Sequence, residues 1–540
     1  MTRLLRILFW GCFSFFAILS LRGVLLSFFD GHDSLLFIEQ ARRLADPHFF
    51  SHNIQVTRPR GLVMLIAIYD FFIHSVTGRF PSMVEYHLFS WMIAIAFILV
   101  WRSTIRLFFD DATASLTGIL LCANYLVFSH ASMMLSDVLT GLCWGIVSGG
   151  YFLFTKGSFS SNARRIWCSV AIGFAAGVLA LCKYQYFFLF PTLLIISYAA
   201  GKWLPRLEDR DQFKRIPYGE ILLSYVLTVD LGQRLTGELG VGFWYTVKLY
   251  ASFLKPHAAI FLPPTSPLMY LRDFYYAYGF GLCLIVVSAA VISFRRRDRR
   301  MGKLSIVGLL WIGVNGLYLL FNQVLVHREP RYLLPLLPPL IAIAVTPLAY
   351  LIRDSSRTSR TVWSVLFCLS LLFPLREQIK WTRQLEGRAA AFRKANYGQF
   401  WSYLNSKENG KCDAILACQT ELQAPHYLYY LPDLDSRVSY CAGKPSDYKR
   451  LLSNRPRAGL CYVLAPSRTG NEFGNLVRVE KTLTVGMNQA QADRWLDSAK
   501  TTYPSASVDC ERDDNNNFSC FSEREFFSEI PSASPRLSQN

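Results

Sequence analysis

The residues best suited to chemistry in this 540-residue chain are carboxylates and cations that interrupt long apolar stretches. Asp30 and Asp33 follow the first apolar run, Asp137 opens a later one, and Lys183 and Arg331 border two more. Carboxylates suit general-base work on a hydroxyl group, and Lys and Arg suit the binding of a phosphate. Because an unpaired charge at membrane depth is costly, each is expected to have a function or a partner. Together they indicate transfer of a group from a lipid phosphate at one membrane face.

The composition is that of a membrane protein. Apolar residues make up 52% of the chain, charged residues only 17%, and the mean hydropathy is +0.25. These values are too apolar for a typical soluble protein and exclude a disordered one. The net charge is +18, and most of it lies in residues 1–375, which contain 34 Lys and Arg against 19 Asp and Glu. The rest of the chain contains 22 Lys and Arg against 19 Asp and Glu. Basic residues dispersed among apolar runs exclude a soluble nucleic-acid-binding protein, so no nucleic-acid partner is expected.

Apolar runs near the length of a membrane-spanning helix recur as far as Leu375 and then stop. The sequence therefore predicts an α-helical polytopic membrane domain over residues 1–375, with about eleven transmembrane helices, and a soluble domain over residues 376–540. The predicted spans are 4–29, 85–107, 114–131, 136–155, 166–182, 188–202, 216–232, 274–293, 304–323, 332–352 and 361–375.

The connecting loops predict the orientation of the chain. Six short segments are rich in Lys and Arg, and all six fall on one side of the predicted spans, which the positive-inside rule assigns to the cytoplasm. An odd number of spans then leaves the outer loop 30–84 and residues 376–540 outside. The basic segments are the N-terminus, 102–113, 156–165, 202–215, 295–303 and 353–360.

The C-terminal segment reads as a small extracytoplasmic α/β domain. Helices are predicted over 391–404 and 488–500, and strands over 414–417, 438–441, 461–465 and 477–485. An even number of cysteines in a domain placed outside indicates disulfides. A zinc site is the alternative, but there is no C-x₂-C spacing and the only histidine here is His426. The six cysteines are Cys412, Cys418, Cys441, Cys461, Cys510 and Cys520.

Two amphipathic or short apolar segments are expected to lie at the outer membrane surface. From Asp33 to Leu44 the apolar positions follow a helical period. Asp33 stands where a carboxylate would cap that helix, so a purely capping role is the alternative to a catalytic one. Asp30, in the same short loop, is the rival candidate. Residues 61–78 are interpreted as a second interfacial helix instead of a span.

Other polar residues are predicted at the same outer face. Lys183 ends the fifth span, where snorkelling to the interface is the alternative to ligand binding. Arg331 could likewise pair only with Glu329. The remaining candidates for substrate binding are Arg58, Arg60 and His327, and Tyr332 accompanies Arg331.

Several of these segments together resemble the GT-C superfamily of membrane glycosyltransferases. The similarity is to the branch with protein O-mannosyltransferases and lipid A aminoarabinose transferases. In that branch, an acidic residue follows span one, an aromatic residue stands four positions later, and Ala-Arg stands eight positions later. The corresponding residues here are Asp33, Phe37 and Ala41-Arg42. Phe37 replaces the usual tyrosine, and Ser34 replaces the second acid of the common pair. Further matches, in the order of that branch, are Arg58-Pro59-Arg60, Asp137, Gly177 with Cys182-Lys183, and Glu329-Pro330-Arg331-Tyr332 with Pro335.

The resemblance implies an inverting transfer of a sugar from a polyprenyl-phosphate donor to a hydroxyl of a lipid, glycan or protein. Asp33 would deprotonate the acceptor, and Lys183 with Arg331 would neutralise the departing phosphate. Asp137 would position the acceptor or, with Asp33, hold a divalent cation, and no other cofactor is expected. The implied location is the plasma membrane of a bacterium, with the C-terminal domain in the periplasm or outside.

A transporter or lipid flippase is the main alternative function, although paired halves with broken helices are not evident in the sequence. A polysaccharide ligase or polymerase is a third possible function.

Overall fold

The protein is described by a computed structural model that divides into two compact units, residues 1–45 with 56–387 and residues 46–55 with 388–540. The structure describes residues 2–26, 37–38, 41, 60–79, 81–157, 159, 161–183, 186–203, 210–236, 243–244, 247–248, 266, 268–295, 306–324, 329–354 and 356–392. Residues 388–392 of the last of these ranges belong to the second unit, in which the structure also describes residues 414–418, 438–441, 460–465, 477–487, 493–494, 497, 507–512 and 518–526.

The first unit is helical throughout the residues that the structure describes. Its helices are α1 Thr2–Leu26, α2 Gly61–Thr77, α3 Met83–Phe108, α4 Asp111–Ala123, α5 Tyr125–His130, α6 Ser136–Lys156, α7 Asn162–Cys182, α8 Leu189–Trp203, α9 Arg210–Lys214, α10 Tyr218–Thr236, α11 Met269–Arg295, α12 Ile306–Val324, α13 Leu337–Asp354, α14 Arg357–Ser370 and α15 Leu372–Phe392. A 3₁₀ turn, Pro330–Leu333, precedes α13.

Six helices in the described ranges are long and apolar enough to cross a membrane: Arg3–Leu25, Val84–Phe108, Ser136–Lys156, Asn162–Cys182, Met269–Ser293 and Arg357–Gly387. Shorter apolar helices cover Gly61–Thr77, Asp111–Ala123, Val307–Asn322 and Leu337–Arg353. The polytopic helical class is therefore confirmed, while the number eleven is not.

The structure divides the predicted span 114–131 into α4 and α5. The break falls at Asn124, whose backbone is extended and whose side-chain oxygen accepts hydrogen bonds from Leu126 N and Val127 N at 2.9 and 3.1 Å. An asparagine that caps a helix in this way starts a new one. The apolar sequence on both sides hides this break from a hydropathy analysis.

The helices pack through small residues and buried polar contacts. A Cβ atom on Gly173 of α7 would lie 2.5 Å from the backbone oxygen of Ile221 in α10, so only glycine allows this approach. Trp144 in α6 donates a hydrogen bond to Asn315 in α12 at 3.0 Å, and both side chains are buried. Apolar packing and satisfied polar groups together hold α6, α7, α10 and α12 in one bundle.

Basic segments predicted to share a side of the membrane contact one another. Arg6 near the N-terminus forms an ion pair with Asp111 at 2.6 Å, and Arg353 pairs with Asp110 at 2.6 Å. In a second group, Arg215 donates to the backbone oxygen of Lys156 at 3.2 Å. The N-terminus thus meets the segments 102–113 and 353–360 at one end of the bundle. The segments 156–165 and 202–215 contact each other in a separate group.

The second unit contains a mixed six-stranded sheet in the order β2-β1-β3-β4-β6-β5. Strand β1 pairs in parallel with β2 and β3, and the β3–β4, β4–β6 and β5–β6 pairs are antiparallel. The strands are β1 Ala414–Cys418, β2 Val438–Cys441, β3 Leu460–Ala465, β4 Val477–Met487, β5 Ser507–Arg512 and β6 Phe518–Phe526. The first four coincide with the predicted strands, whereas β5 and β6 were not predicted.

Candidate active site

Asp137 lies in the first turn of α6, which begins at Ser136. A carboxylate is favoured there because the backbone N–H groups of the first turn and the helix dipole both stabilise negative charge. Only 1% of Asp137 is exposed. Such a buried carboxylate requires a compensating charge.

The compensating charge comes from Lys183, the residue that caps the C-terminus of α7. Its Nζ atom lies 2.8 Å from Asp137 Oδ1, and 8% of Lys183 is exposed. The two residues meet because α6 and α7 are consecutive helices that pack against each other, so the start of one adjoins the end of the other. No donor is aligned for a hydrogen bond to Oδ1 among the described residues, so charge attraction holds this contact. Lys183 therefore does not snorkel away from the protein; it faces the interior.

The ring of Tyr332 lies against the same ammonium group. Lys183 Nζ is 4.7 Å from the ring centroid, which is cation–π distance. Tyr332 belongs to the 3₁₀ turn Pro330–Leu333, where the proline at the first position fixes the local backbone. Lys183 and Tyr332, which are 149 positions apart in the sequence, thus belong to one cluster.

Tyr186 fixes the spacing between the two segments of this cluster. Its hydroxyl donates a hydrogen bond to the backbone oxygen of Tyr332, and its backbone N–H donates to the oxygen of Lys183 at 3.0 Å. Tyr186 is fully buried, and Asn322 Nδ2 lies 3.5 Å from its hydroxyl. One side chain therefore connects the end of α7 to the 3₁₀ turn.

Arg331 and Glu329 border the cluster on its more exposed side. Arg331 Nε forms an ion pair with Glu329, and Tyr332 donates a hydrogen bond from its hydroxyl to Glu329 Oε1 at 3.3 Å. The guanidinium carbon of Arg331 lies 5.9 Å from the Tyr332 ring centroid. Tyr332 consequently has two cations near its ring, Lys183 and Arg331.

The segment with Arg60 also reaches this region. A Cβ atom on Gly61 would lie 2.7 Å from Cys182 Sγ and 2.8 Å from the Val178 backbone oxygen, so only glycine permits this contact with the end of α7. Arg60 itself donates to the backbone oxygen of Gln233 at 3.3 Å. Gly61 thus brings the start of α2 beside Lys183.

The structure brings together five predicted site residues, Asp137, Lys183, Glu329, Arg331 and Tyr332, and places Arg60 in an adjoining segment. Asp30, Asp33, Arg58 and His327 lie outside the described residues. Within the segment that follows Asp33, the described residues Phe37, Ile38 and Ala41 are helical and buried. Their spacing is that of one helix face, as predicted from the apolar periodicity.

Sequence reasoning did not single out Tyr186 or His130. The charges of Asp137, Arg331 and Lys183 all act on the half-buried His130 ring, whose Nδ1 atom lies 2.8 Å from the Leu126 oxygen. Tyr186 is one of several aromatic residues in an apolar run, and His130 ends a six-residue helix. No local sequence pattern marks either residue as functional. They come near the cluster only because segments distant in the sequence pack together.

The described surroundings of Asp137 do not suit a divalent cation. The carboxylate faces an ammonium group instead of further carboxylates or imidazoles. Within the described ranges there is no group of three or more His, Cys, Asp and Glu side chains that could hold a metal ion. The described contacts of Asp137 therefore do not form a metal site by themselves. Asp33, the second ligand considered from the sequence, lies outside the described residues, and no catalytic step is assigned to a metal.

No protein-family model and no curated protein matches the sequence. The structure, however, is similar to ArnT from Cupriavidus metallidurans bound to undecaprenyl phosphate, with a TM-score of 0.55 at 14% identity over 95% of this chain and 97% of that one. The chain has the ArnT fold. The apo state of ArnT gives a TM-score of 0.50 at 14% identity, covering 93% of this chain and 96% of that one.

The archaeal oligosaccharyltransferase AglB from Archaeoglobus fulgidus, in complex with an inhibitory peptide and a dolichol-phosphate, gives a TM-score of 0.49 at 12% identity, covering 84% of this chain and 69% of that one. The ArnT similarity covers nearly the full length of both chains. This similarity confirms the fold that the GT-C resemblance implies. Together with the long apolar helices, it also confirms that the chain is an integral membrane protein.

Proposed function

We propose that the protein is a glycosyltransferase that moves a sugar from a polyprenyl-phosphate donor to a hydroxyl of a lipid, glycan or protein at the outer membrane face. The observation that carries this proposal is the buried contact of Lys183 with Asp137 and Tyr332, beside Arg331. It occurs in a chain with the fold of ArnT, a protein whose structure contains undecaprenyl phosphate.

Lys183 and Arg331 are the proposed ligands of the donor phosphate. An ammonium group has three N–H donors, and in the described part of the chain Asp137 is the only carboxylate that contacts Lys183. Lys183 therefore retains donor capacity for phosphate oxygens. Arg331 is held by Glu329 against the Tyr332 ring, and a guanidinium offers a planar, two-pronged contact with phosphate.

The role proposed for Asp137 is to orient Lys183. Its carboxylate approaches the ammonium from inside the bundle, because Asp137 is more deeply buried than Lys183. A fixed cation stabilises charge that develops on the departing phosphate better than a mobile one, since it needs no reorganisation during the reaction.

Asp33 is the proposed general base, with Asp30 as the rival candidate. The base takes the proton of the acceptor hydroxyl as its oxygen bonds to the anomeric carbon. The bond from that carbon to the phosphate oxygen breaks, and the polyprenyl phosphate leaves with the electron pair. Attack opposite the departing phosphate inverts the anomeric centre. Arg58, Arg60, His327 and Glu329 are the proposed contacts for the rest of the acceptor or donor.

A two-part assay separates this function from lipid transport. Purified protein receives a radiolabelled polyprenyl-phosphate sugar with and without a crude acceptor fraction from cell envelopes. A transferase releases polyprenyl phosphate and labels the acceptor, and the labelled product depends on protein and acceptor together. In liposomes, a flippase would move the donor across the bilayer and leave its sugar–phosphate bond intact. Donor movement without bond cleavage in both preparations would refute the proposal.

We also propose that residues 1–375 form the catalytic membrane domain and that residues 376–540 form an α/β domain outside the bacterial plasma membrane. The positive-inside distribution of Lys and Arg supports this orientation. Single cysteines at Gly302 and Ser356 should react with impermeant maleimide only from the cytoplasm, and those at Thr265 and Ser467 only from outside. Cytoplasmic labelling at Ser467 would reverse the sidedness of the site.

A further inference from the structure

The sheet of the second unit aligns its cysteines in pairs. In the parallel pair β1–β2, Cys418 is directly opposite Cys441. In the antiparallel pair β5–β6, Cys510 is directly opposite Cys520. Four of the six cysteines in residues 376–540 thus form two register pairs on neighbouring strands.

This register meets the distance requirement of a disulfide. Neighbouring strands lie about 4.8 Å apart, and opposed residues of an antiparallel pair have Cα atoms about 4.5–5.5 Å apart. Disulfides join Cα atoms that are usually about 4.4–6.8 Å apart. Directly opposed positions also lie on the same face of a pleated sheet. Both aligned pairs therefore suit a cross-strand bond.

The same sheet order excludes other pairings among the cysteines on strands. Cys510 and Cys520 lie on β5 and β6, which are separated from β1 and β2 by β3 and β4. That separation is about 14 Å or more at the usual strand spacing, twice the reach of a disulfide. The β1–β3 register aligns Ala414 with Leu460 and Leu416 with Val463, so Cys461 lies near position 415, about 10 Å along the strand from Cys418.

We infer that residues 376–540 contain two cross-strand disulfides, Cys418–Cys441 and Cys510–Cys520. The inference rests on the outer placement of these residues proposed above. Each bond forms when two thiols lose two protons and two electrons to the disulfide of a thiol–disulfide oxidoreductase, which becomes a dithiol. One bond fastens the edge strand β2 to β1, and the other closes the β5–β6 hairpin at the opposite edge.

Non-reducing peptide mapping of the purified full-length protein tests the assignment. Free thiols are first blocked with an alkylating reagent. Trypsin then separates Cys418 from Cys441 at Arg437 and Cys510 from Cys520 at Arg512, and endoproteinase Asp-N separates Cys412 from Cys418 at Asp413. We expect cross-linked peptides for 418–441 and 510–520 that disappear on reduction. Any other partner for these four cysteines, or their recovery as alkylated thiols, would overturn the inference.

Single variants provide a second measurement. Cys418→Ser should expose one new thiol, at Cys441, and Cys510→Ser should expose one at Cys520, each detected by maleimide labelling and mass spectrometry. If Cys418→Ser instead frees Cys461 or Cys412, the register pairing is wrong. Glycosyl transfer is assayed on the same wild-type preparation. Mis-paired cysteines with intact transfer would reject this inference alone, whereas correct pairs without transfer would reject only the proposed function.

Discussion

The ammonium group of Lys183 lies 2.8 Å from Asp137 Oδ1, and this contact joins the end of α7 to the start of α6. Both residues are almost fully enclosed by the protein. A buried ion pair adds little net stability, but the loss of one partner leaves an uncompensated charge. The pair is therefore expected to matter in two separable ways, for folding and for function.

A double-mutant cycle separates these two roles. Lys183→Met leaves Asp137 buried and unpaired, so the free energy of unfolding should fall by about 3–5 kcal/mol. Asp137→Asn combined with Lys183→Met removes both charges and should recover much of that stability, while transfer stays low because the phosphate loses the ammonium group of Lys183. Thermal unfolding in detergent and donor turnover give the two readouts. If the double variant regains turnover together with stability, Lys183 has only a structural role.

Tyr186 is predicted to position the donor site through its hydroxyl group. Tyr186→Phe removes the hydrogen bond to the Tyr332 oxygen and should cost about 1 kcal/mol of stability. Tyr225→Phe is the matched control, because the buried Tyr225 also donates to a backbone oxygen, that of Phe187, at 3.0 Å. We expect weaker polyprenyl-phosphate binding only in Tyr186→Phe. Equal loss in both variants would indicate a general packing effect.

The close approach of α2 to α7 gives a steric prediction. Gly61→Ala would force a methyl group to within 2.8 Å of the Val178 backbone oxygen and displace the segment with Arg60. We expect a lower melting temperature and reduced transfer. Gly313→Ala is the control, because nothing lies within 4 Å of a Cβ atom there and alanine is favoured in a helix. Normal melting and turnover in Gly61→Ala would contradict the proposed contact.

Asp33 is predicted to act as the general base. Asp33→Asn keeps the size and the capping ability of the side chain but removes the proton acceptor, so turnover should fall by about 10²–10⁴-fold. Folding and donor binding should persist, because Asn caps a helix as well as Asp does. Single-turnover assays with saturating donor measure the effect. Near-normal turnover in Asp33→Asn with a large loss in Asp30→Asn would transfer the role to Asp30.

Local sequence patterns were sufficient for much of the fold. Four strands in the second unit and the contacts among the basic segments follow from periodicity and charge. The β5 strand, Ser507–Arg512, escaped prediction because most of its residues are polar. The last predicted span ends at Leu375, whereas the helix α15 continues to Phe392 because charged residues such as Arg376 and Glu377 keep helical propensity after the apolar run stops.

The site was predictable only as a set of separate residues. Asp137, Lys183 and Arg331 were recognised by residue type and by their place at the ends of apolar runs. Their mutual pairing was not, because contacts between residues so distant in the chain depend on helix packing. For the same reason, the sequence offered snorkelling as the alternative for Lys183, whereas the enclosed carboxylate of Asp137 and the ring of Tyr332 hold it inside.

Donor-lipid affinity tests the central claim, that Lys183 and Arg331 bind the phosphate of a polyprenyl-phosphate donor. The measurement is the Kd of purified, monodisperse protein for polyprenyl phosphate, compared between wild type, Lys183→Ala, Arg331→Lys and Asp33→Asn. A hydrogen bond to a charged group contributes about 1.5–3 kcal/mol, so each cation variant should raise Kd by about 10- to 100-fold, while Asp33→Asn binds as wild type does. An unchanged Kd in both cation variants, with the proteins folded, would contradict the phosphate site and the function built on it.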